Sequence, residues 1–81
     1  MEYQFTLIYQ VAEDEDPGLL VERLGKAGLD DALVGTARPG RLALAFSREA
    51  ATASLAVRSA LEDVDAALPE ARLLQVLPVI E

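Results

Sequence analysis

Apolar and polar positions alternate strictly at the start of the chain. Tyr3, Phe5, Leu7, Tyr9 and Val11 are interleaved with Gln4, Thr6, Ile8 and Gln10, and a period of two in a β-branched and aromatic stretch predicts a strand over residues 2–11 with one apolar face. Glu13-Asp14-Glu15-Asp16-Pro17 breaks the pattern with the grammar of a helix start: Asp16 as N-cap, Pro17 at the first helical position, and acids against the positive helix end. A helix over 17–27 follows, with Leu20, Leu24 and Ala27 on one face and Gly28 placed to end it in the left-handed conformation.

Ala32–Thr36 and Leu42–Phe46 are short β-like runs joined by Ala37-Arg38-Pro39-Gly40-Arg41, where Pro-Gly sets a turn with positive φ at the glycine. Ser47 is the expected cap of a second helix, with Arg48 and Glu49 in its first turn. Ala53, Ala56, Val57, Ala60, Leu61, Val64 and Leu68 recur three or four apart up to Pro69. Leu73, Leu74, Val76, Leu77 and Val79 form a last strand, with Pro78 confining its end to an edge or a bulge.

The order of elements is β-α-β-β-α-β. It predicts one α+β domain over 1–81: a ferredoxin-like sandwich in which an antiparallel four-stranded sheet, order 4-1-3-2, carries both helices on one face. At 81 residues there is room for a single layer pair. The first strand's exit, the hairpin tip and the end of the second helix then share one end of the domain, while Asp30, Asp31, Ser47 and both termini occupy the other.

Composition narrows the chemistry. The chain has no cysteine and no histidine, which removes disulfides, thiolate nucleophiles, Ser-His and Cys-His pairs and imidazole metal ligands. No enzymatic role, cofactor or metal is therefore expected. Fourteen acids against seven bases give a net charge of −7, which repels phosphate backbones and argues against direct nucleic-acid contact. No apolar run approaches the ~20 residues of a membrane span, and the chain opens Met1-Glu2-Tyr3 instead of with a basic targeting segment, so a cytoplasmic location is expected and no membrane contact.

Three groups of residues are candidates for function. Glu13, Asp14, Glu15 and Asp16, together with Glu62, Asp63 and Asp65, are expected around Arg38 and Arg41 at the hairpin end and would make an acidic surface for a basic partner. The contiguous spacing of 13–16 lacks the alternating ligands and central glycine of a calcium loop, and capping already accounts for it. Carboxylates late in the second helix oppose its macrodipole, although Arg58 stands one turn before Glu62 and can pair with it. Two guanidiniums on a rigid tip suit an anion, but the surrounding acids are expected to neutralise them. Gln4, Thr6, Ile8 and Gln10 line the sheet face that no helix covers, a mixed surface suited to pairing across a two-fold axis.

Gly28-Leu29-Asp30-Asp31-Ala32-Leu33, Arg38-Pro39-Gly40-Arg41, Phe46-Ser47-Arg48-Glu49-Ala50 and Ser59-Ala60-Leu61-Glu62-Asp63-Val64 together resemble the N-terminal domain of small bacterial helix-turn-helix DNA-binding proteins. The likeness runs from Ala27 to Pro69, about half the chain. It implies a regulatory or assembly domain, with an Asp31–Arg48 pair tying the second strand to the second helix. The helix-turn-helix that supplies DNA contact in that group has no counterpart before Glu81, so DNA binding is not carried over. The sequence therefore leads to a non-catalytic interaction domain that self-associates or positions a partner. The competing reading is an immunity protein or antitoxin whose carboxylates mask a basic nuclease.

Overall fold

The alternation of the first strand sets the architecture. In the computed structural model, which describes residues 1–29, 31–35 and 38–77, β1 (Glu2–Gln10) buries Phe5, Leu7 and Tyr9 and turns Gln4, Thr6, Ile8 and Gln10 the other way. Five elements follow: α1 (Pro17–Lys26), β2 (Ala32–Gly35), β3 (Arg41–Glu49), α2 (Ala53–Ala67) and β4 (Arg72–Leu77). The chain is thus α+β, with a four-stranded antiparallel sheet and two helices. The strand order is β2-β3-β1-β4, which counted from the opposite edge reads 4-1-3-2.

The predicted helix signals act as chemistry requires. The Asp16 carboxylate accepts from the Gly18 amide at 2.8 Å, with Pro17 at the start of α1. Gly28 takes φ +82° directly after the Ala27 cap, and the turn before β3 closes on Gly40 at φ +77°. The Val11 amide donates to the Gly40 carbonyl at 3.0 Å, so the exit of β1 and the hairpin tip are joined.

Two boundaries differ from expectation. Ser47 does not cap α2; it continues β3 opposite Gln4, because β1 begins at Glu2 and offers ladder partners as far as Glu49. The cap is Thr52, whose hydroxyl accepts from the Leu55 amide at 3.2 Å. Ala27 lies at the exposed end of α1 and not on its buried face, where Leu20 and Leu24 are joined by Leu29 from the following turn. The positions Asp30, Thr36, Ala37, Pro78 and Val79, which entered the sequence reading, lie outside the described residues.

The core lies between the helices and one sheet face. Phe5, Leu7 and Tyr9 on β1 and Leu42, Leu44 and Phe46 on β3 meet Leu20 and Leu24 of α1 and Ala56, Val57, Ala60 and Val64 of α2. Alanines on the buried face of α2 let its backbone approach the sheet, and Phe5 and Phe46 stack with centroids 5.5 Å apart. Beyond that contact, β3 places Arg48 on the same face as Phe46, where α2 and the start of β2 converge.

Candidate functional site

The uncovered face of the sheet is built from the residues that alternate with the core. Directly opposed residues of antiparallel strands share a face, so the register yields rows across the sheet. Gln4 lies beside Ser47. Leu33, Ala45, Thr6 and Leu77 form one row, and Gly35, Ala43, Ile8 and Gln75 form the next. Arg41, Gln10 and Arg72 form the last, at the hairpin end.

Side-chain size decides the shape of this face. Gly35 on the edge strand β2 and Ala43 on the inner strand β3 are small, whereas Ile8 on β1 and Leu74 and Leu77 on β4 stand to one side of them. The result is an open trough of about 560 Å³ that also takes in Arg38 and Arg41. Leu74 reaches it through a bulge: Ile8 pairs with Gln75 and Tyr9 with Leu73, which leaves Leu74 as the extra residue of β4. Leu33 is 78% exposed, Leu74 43% and Leu77 39%. Sequence reasoning found the β1 positions of this face and missed Leu33, Leu74, Leu77 and Arg72. Alternation in the outer strands marks Leu33 and Leu77, but the bulge hides Leu74.

The acids do not converge on the hairpin as expected. Glu13 lies against Gly40 and lines, with Arg38 and Arg41, a shallow depression of about 180 Å³. Asp14 is exposed in the turn after β1, and Asp16 serves as the α1 cap. Glu15 approaches Arg23 at 3.8 Å. Arg23 also donates to the Glu70 carboxylate and, at 3.0 Å, to the Ala67 carbonyl, so α1 is tied to the end of α2. The Arg23 hydrogen bond holds the Glu70 carboxyl below its ordinary range. Glu62 pairs with Arg58 at 3.5 Å, as the helical spacing suggested. Asp65 lies close enough to Tyr9 to act on it: burial first, and that charge second, push the phenol up to about 12.

Asp63 departs furthest from expectation. It accepts from Arg48 at 2.9 Å, and the same guanidinium donates to both Asp31 oxygens at 2.9 and 3.2 Å and to the Ser59 hydroxyl at 3.2 Å. Arg48 is only 15% exposed and its guanidinium carbon stands 5.0 Å from the Phe46 ring centroid. The hydrogen bond to Asp31 leads the factors that raise its pKa. The Asp31–Arg48 pair thus exists, and it recruits Asp63 away from the hairpin end. Period-two parity carried the signal: Arg48 follows Leu42, Leu44 and Phe46 on the core side, so it must find partners on the helix above.

The bases divide accordingly. Arg23, Lys26, Arg48 and Arg58 each have a carboxylate partner within 4.0 Å, whereas Arg38, Arg41 and Arg72 have none among the described residues. Of the acids expected to neutralise Arg38 and Arg41, Glu13 lines the hairpin depression with both, but no ion pair within 4.0 Å is formed there among the described residues. Among the described residues no group of three or more metal-ligating side chains is gathered, and no helix is long and apolar enough to cross a membrane. No protein-family model, curated protein or solved structure matches this chain.

Proposed function

We propose that this protein is a non-catalytic interaction domain that self-associates through the open face of its sheet. The observation that carries the reading is the exposure of Leu33, Leu74 and Leu77 on a face that no helix covers. Contiguous apolar surface of this kind costs free energy in water and is relieved by association, and a face flanked by polar Gln4 and Gln10 matches the apolar centre and wetter rim of a self-complementary interface. The arrangement belongs to the ferredoxin-like type. The resemblance of residues 27–69 to the N-terminal domain of helix-turn-helix proteins gives such pairing a regulatory sense, since two-fold pairing sets the spacing of whatever the two copies carry. A cytoplasmic setting suits a cysteine-free acidic domain.

The alternative, a protein that masks a basic toxin with its carboxylates, has less to draw on. Glu15, Glu62 and Asp63 already serve intramolecular pairs and Asp16 caps α1, which leaves Glu13, Asp14 and Asp65 to face such a partner.

Sedimentation velocity over a hundredfold concentration range tests the proposal. The wild type is expected to show a monomer–dimer equilibrium, and Leu33→Glu and Leu77→Glu are expected to shift it to monomer with unchanged circular dichroism. A wild type that stays monomeric at the highest concentration, or a dimer indifferent to both substitutions, would sink it.

A further inference from the structure

Arg38, Arg41 and Arg72, which have no carboxylate within 4.0 Å among the described residues, stand at one end of the sheet, and that place is informative. In a chain with twice as many acids as bases, cations outside any ion pair stand out, even though Glu13 lines the hairpin depression beside Arg38 and Arg41. Here Arg41 and Arg72 flank Gln10 in one row, and Arg38 joins Arg41 at the mouth of the trough. Protection of an exposed edge from pairing accounts for an arginine on β4, which is an edge strand. It does not account for Arg41, which lies on the inner strand β3, or for Arg38 beside the rigid Pro39-Gly40 turn.

The trough therefore has two chemically distinct ends. Its body is apolar, with Ile8, Leu74 and Leu77 standing over Ala43 and Gly35, and its mouth is cationic. From the Arg41–Gln10 row to the Thr6–Leu77 row β1 advances four residues, roughly 13 Å, which is the reach of a medium-length hydrocarbon chain. A volume of about 560 Å³ falls in the range of sites that take small organic molecules, which combine mostly apolar walls with a few convergent polar groups. Guanidinium is the group best shaped to grip a carboxylate through paired hydrogen bonds.

We propose that this trough binds a small amphipathic carboxylate, with its hydrocarbon chain laid over Ala43 and Gly35 against Ile8, Leu74 and Leu77 and its head group held by Arg38 and Arg41. The site goes beyond self-association and does not depend on it. Because both use the same apolar surface, ligand and second copy compete, and occupancy of the trough shifts a dimer toward monomer.

Titration of the isotope-labelled full chain with decanoate, below its micelle-forming concentration, tests the assignment by amide chemical shifts. Saturable changes are expected at Ile8, Gly35, Arg41 and Ala43. Decanol, which has the chain without the charge, is expected to bind at least about tenfold more weakly. Arg38→Gln with Arg41→Gln is expected to remove that preference for decanoate while leaving decanol binding unchanged, and both side chains are exposed, so folding is retained. Ala43→Leu, which fills the trough from its floor, is expected to abolish binding of both compounds. The inference is overturned by the absence of saturable shifts, by shifts centred elsewhere, by equal affinity for decanoate and decanol, or by an acidic peptide binding the face where decanoate does not. Sedimentation of the same samples separates this from the pairing proposal. A dimer that ignores decanoate defeats the ligand alone, and a monomer that binds it defeats the pairing alone.

Discussion

The two faces of this sheet use the same strands and the same alternation, yet they hold their polar groups by opposite rules. On the helix-covered face, Arg48 is sunk over Phe46 and satisfied by Asp31, Asp63 and Ser59. On the open face, Arg41 sits on the same strand β3 and forms no ion pair within 4.0 Å among the described residues. A buried-side cation demands partners because the surroundings cannot solvate it, whereas water serves the exposed one. Position on the pleat, and not residue type, decides whether an arginine here is structural or available.

The largest contrast is expected from apolar truncation. Leu44→Ala empties a fully buried site and should lower stability by about 2–5 kcal/mol in urea unfolding, while Leu33→Ala on the open face should change it by less than about 0.5 kcal/mol. Comparable losses at both positions would end the distinction between the faces. Next comes the charge contrast: Arg48→Ala leaves Asp31 and Asp63 facing each other without a cation and should cost about 1–3 kcal/mol, against less than about 0.5 kcal/mol for Arg41→Ala. Gly40→Ala should cost about 1 kcal/mol, because φ is +77° and an added Cβ would meet the Glu13 side chain at 3.2 Å; thermal melts of the pair with Gly28→Ala, where space is open, separate strain from crowding.

At neutral pH the smallest effect is that of Tyr9 ionisation, which is nil. Its folded pKa of about 12 exceeds the ordinary value of 10.0. Below pH 10 both states keep the proton and stability is unaffected. Between pH 10 and 12 the unfolded chain releases it while the folded chain does not, so stability should fall as pH rises through that window. Tyr9→Phe should flatten the decline in alkaline urea titrations.

Local chemistry explains what could be read from the chain alone. Asp16, Pro17 and Gly28 carry the signals of α1 in their own side chains and backbone freedom, and the alternation of residues 3–10 needs no partner to be seen. Ser47 misled because a serine before an alanine-rich run has the form of a cap, whereas the length of β3 is set by β1, more than forty residues away in the pairing of Glu2 with Glu49. Ion pairs were partly legible. The Glu62–Arg58 spacing lies within one helix, and Asp31–Arg48 came with the resemblance, but the capture of Asp63 depends on how α2 crosses the sheet. The open trough was least visible, because its lining comes from all four strands and one residue of it, Leu74, owes its direction to a bulge.

That bulge also bears on what kind of assembly the protein can form. A straight outer strand offers its free amides and carbonyls to any neighbouring chain, and repeated edge-to-edge addition has no natural end. The extra residue at Leu74 breaks the even spacing of β4 and increases its local twist, so successive copies cannot stack there in register. Growth into fibrils is thereby discouraged at the β4 edge, which fits the proposed pairing through the broad face, where a two-fold contact would close on itself at two copies.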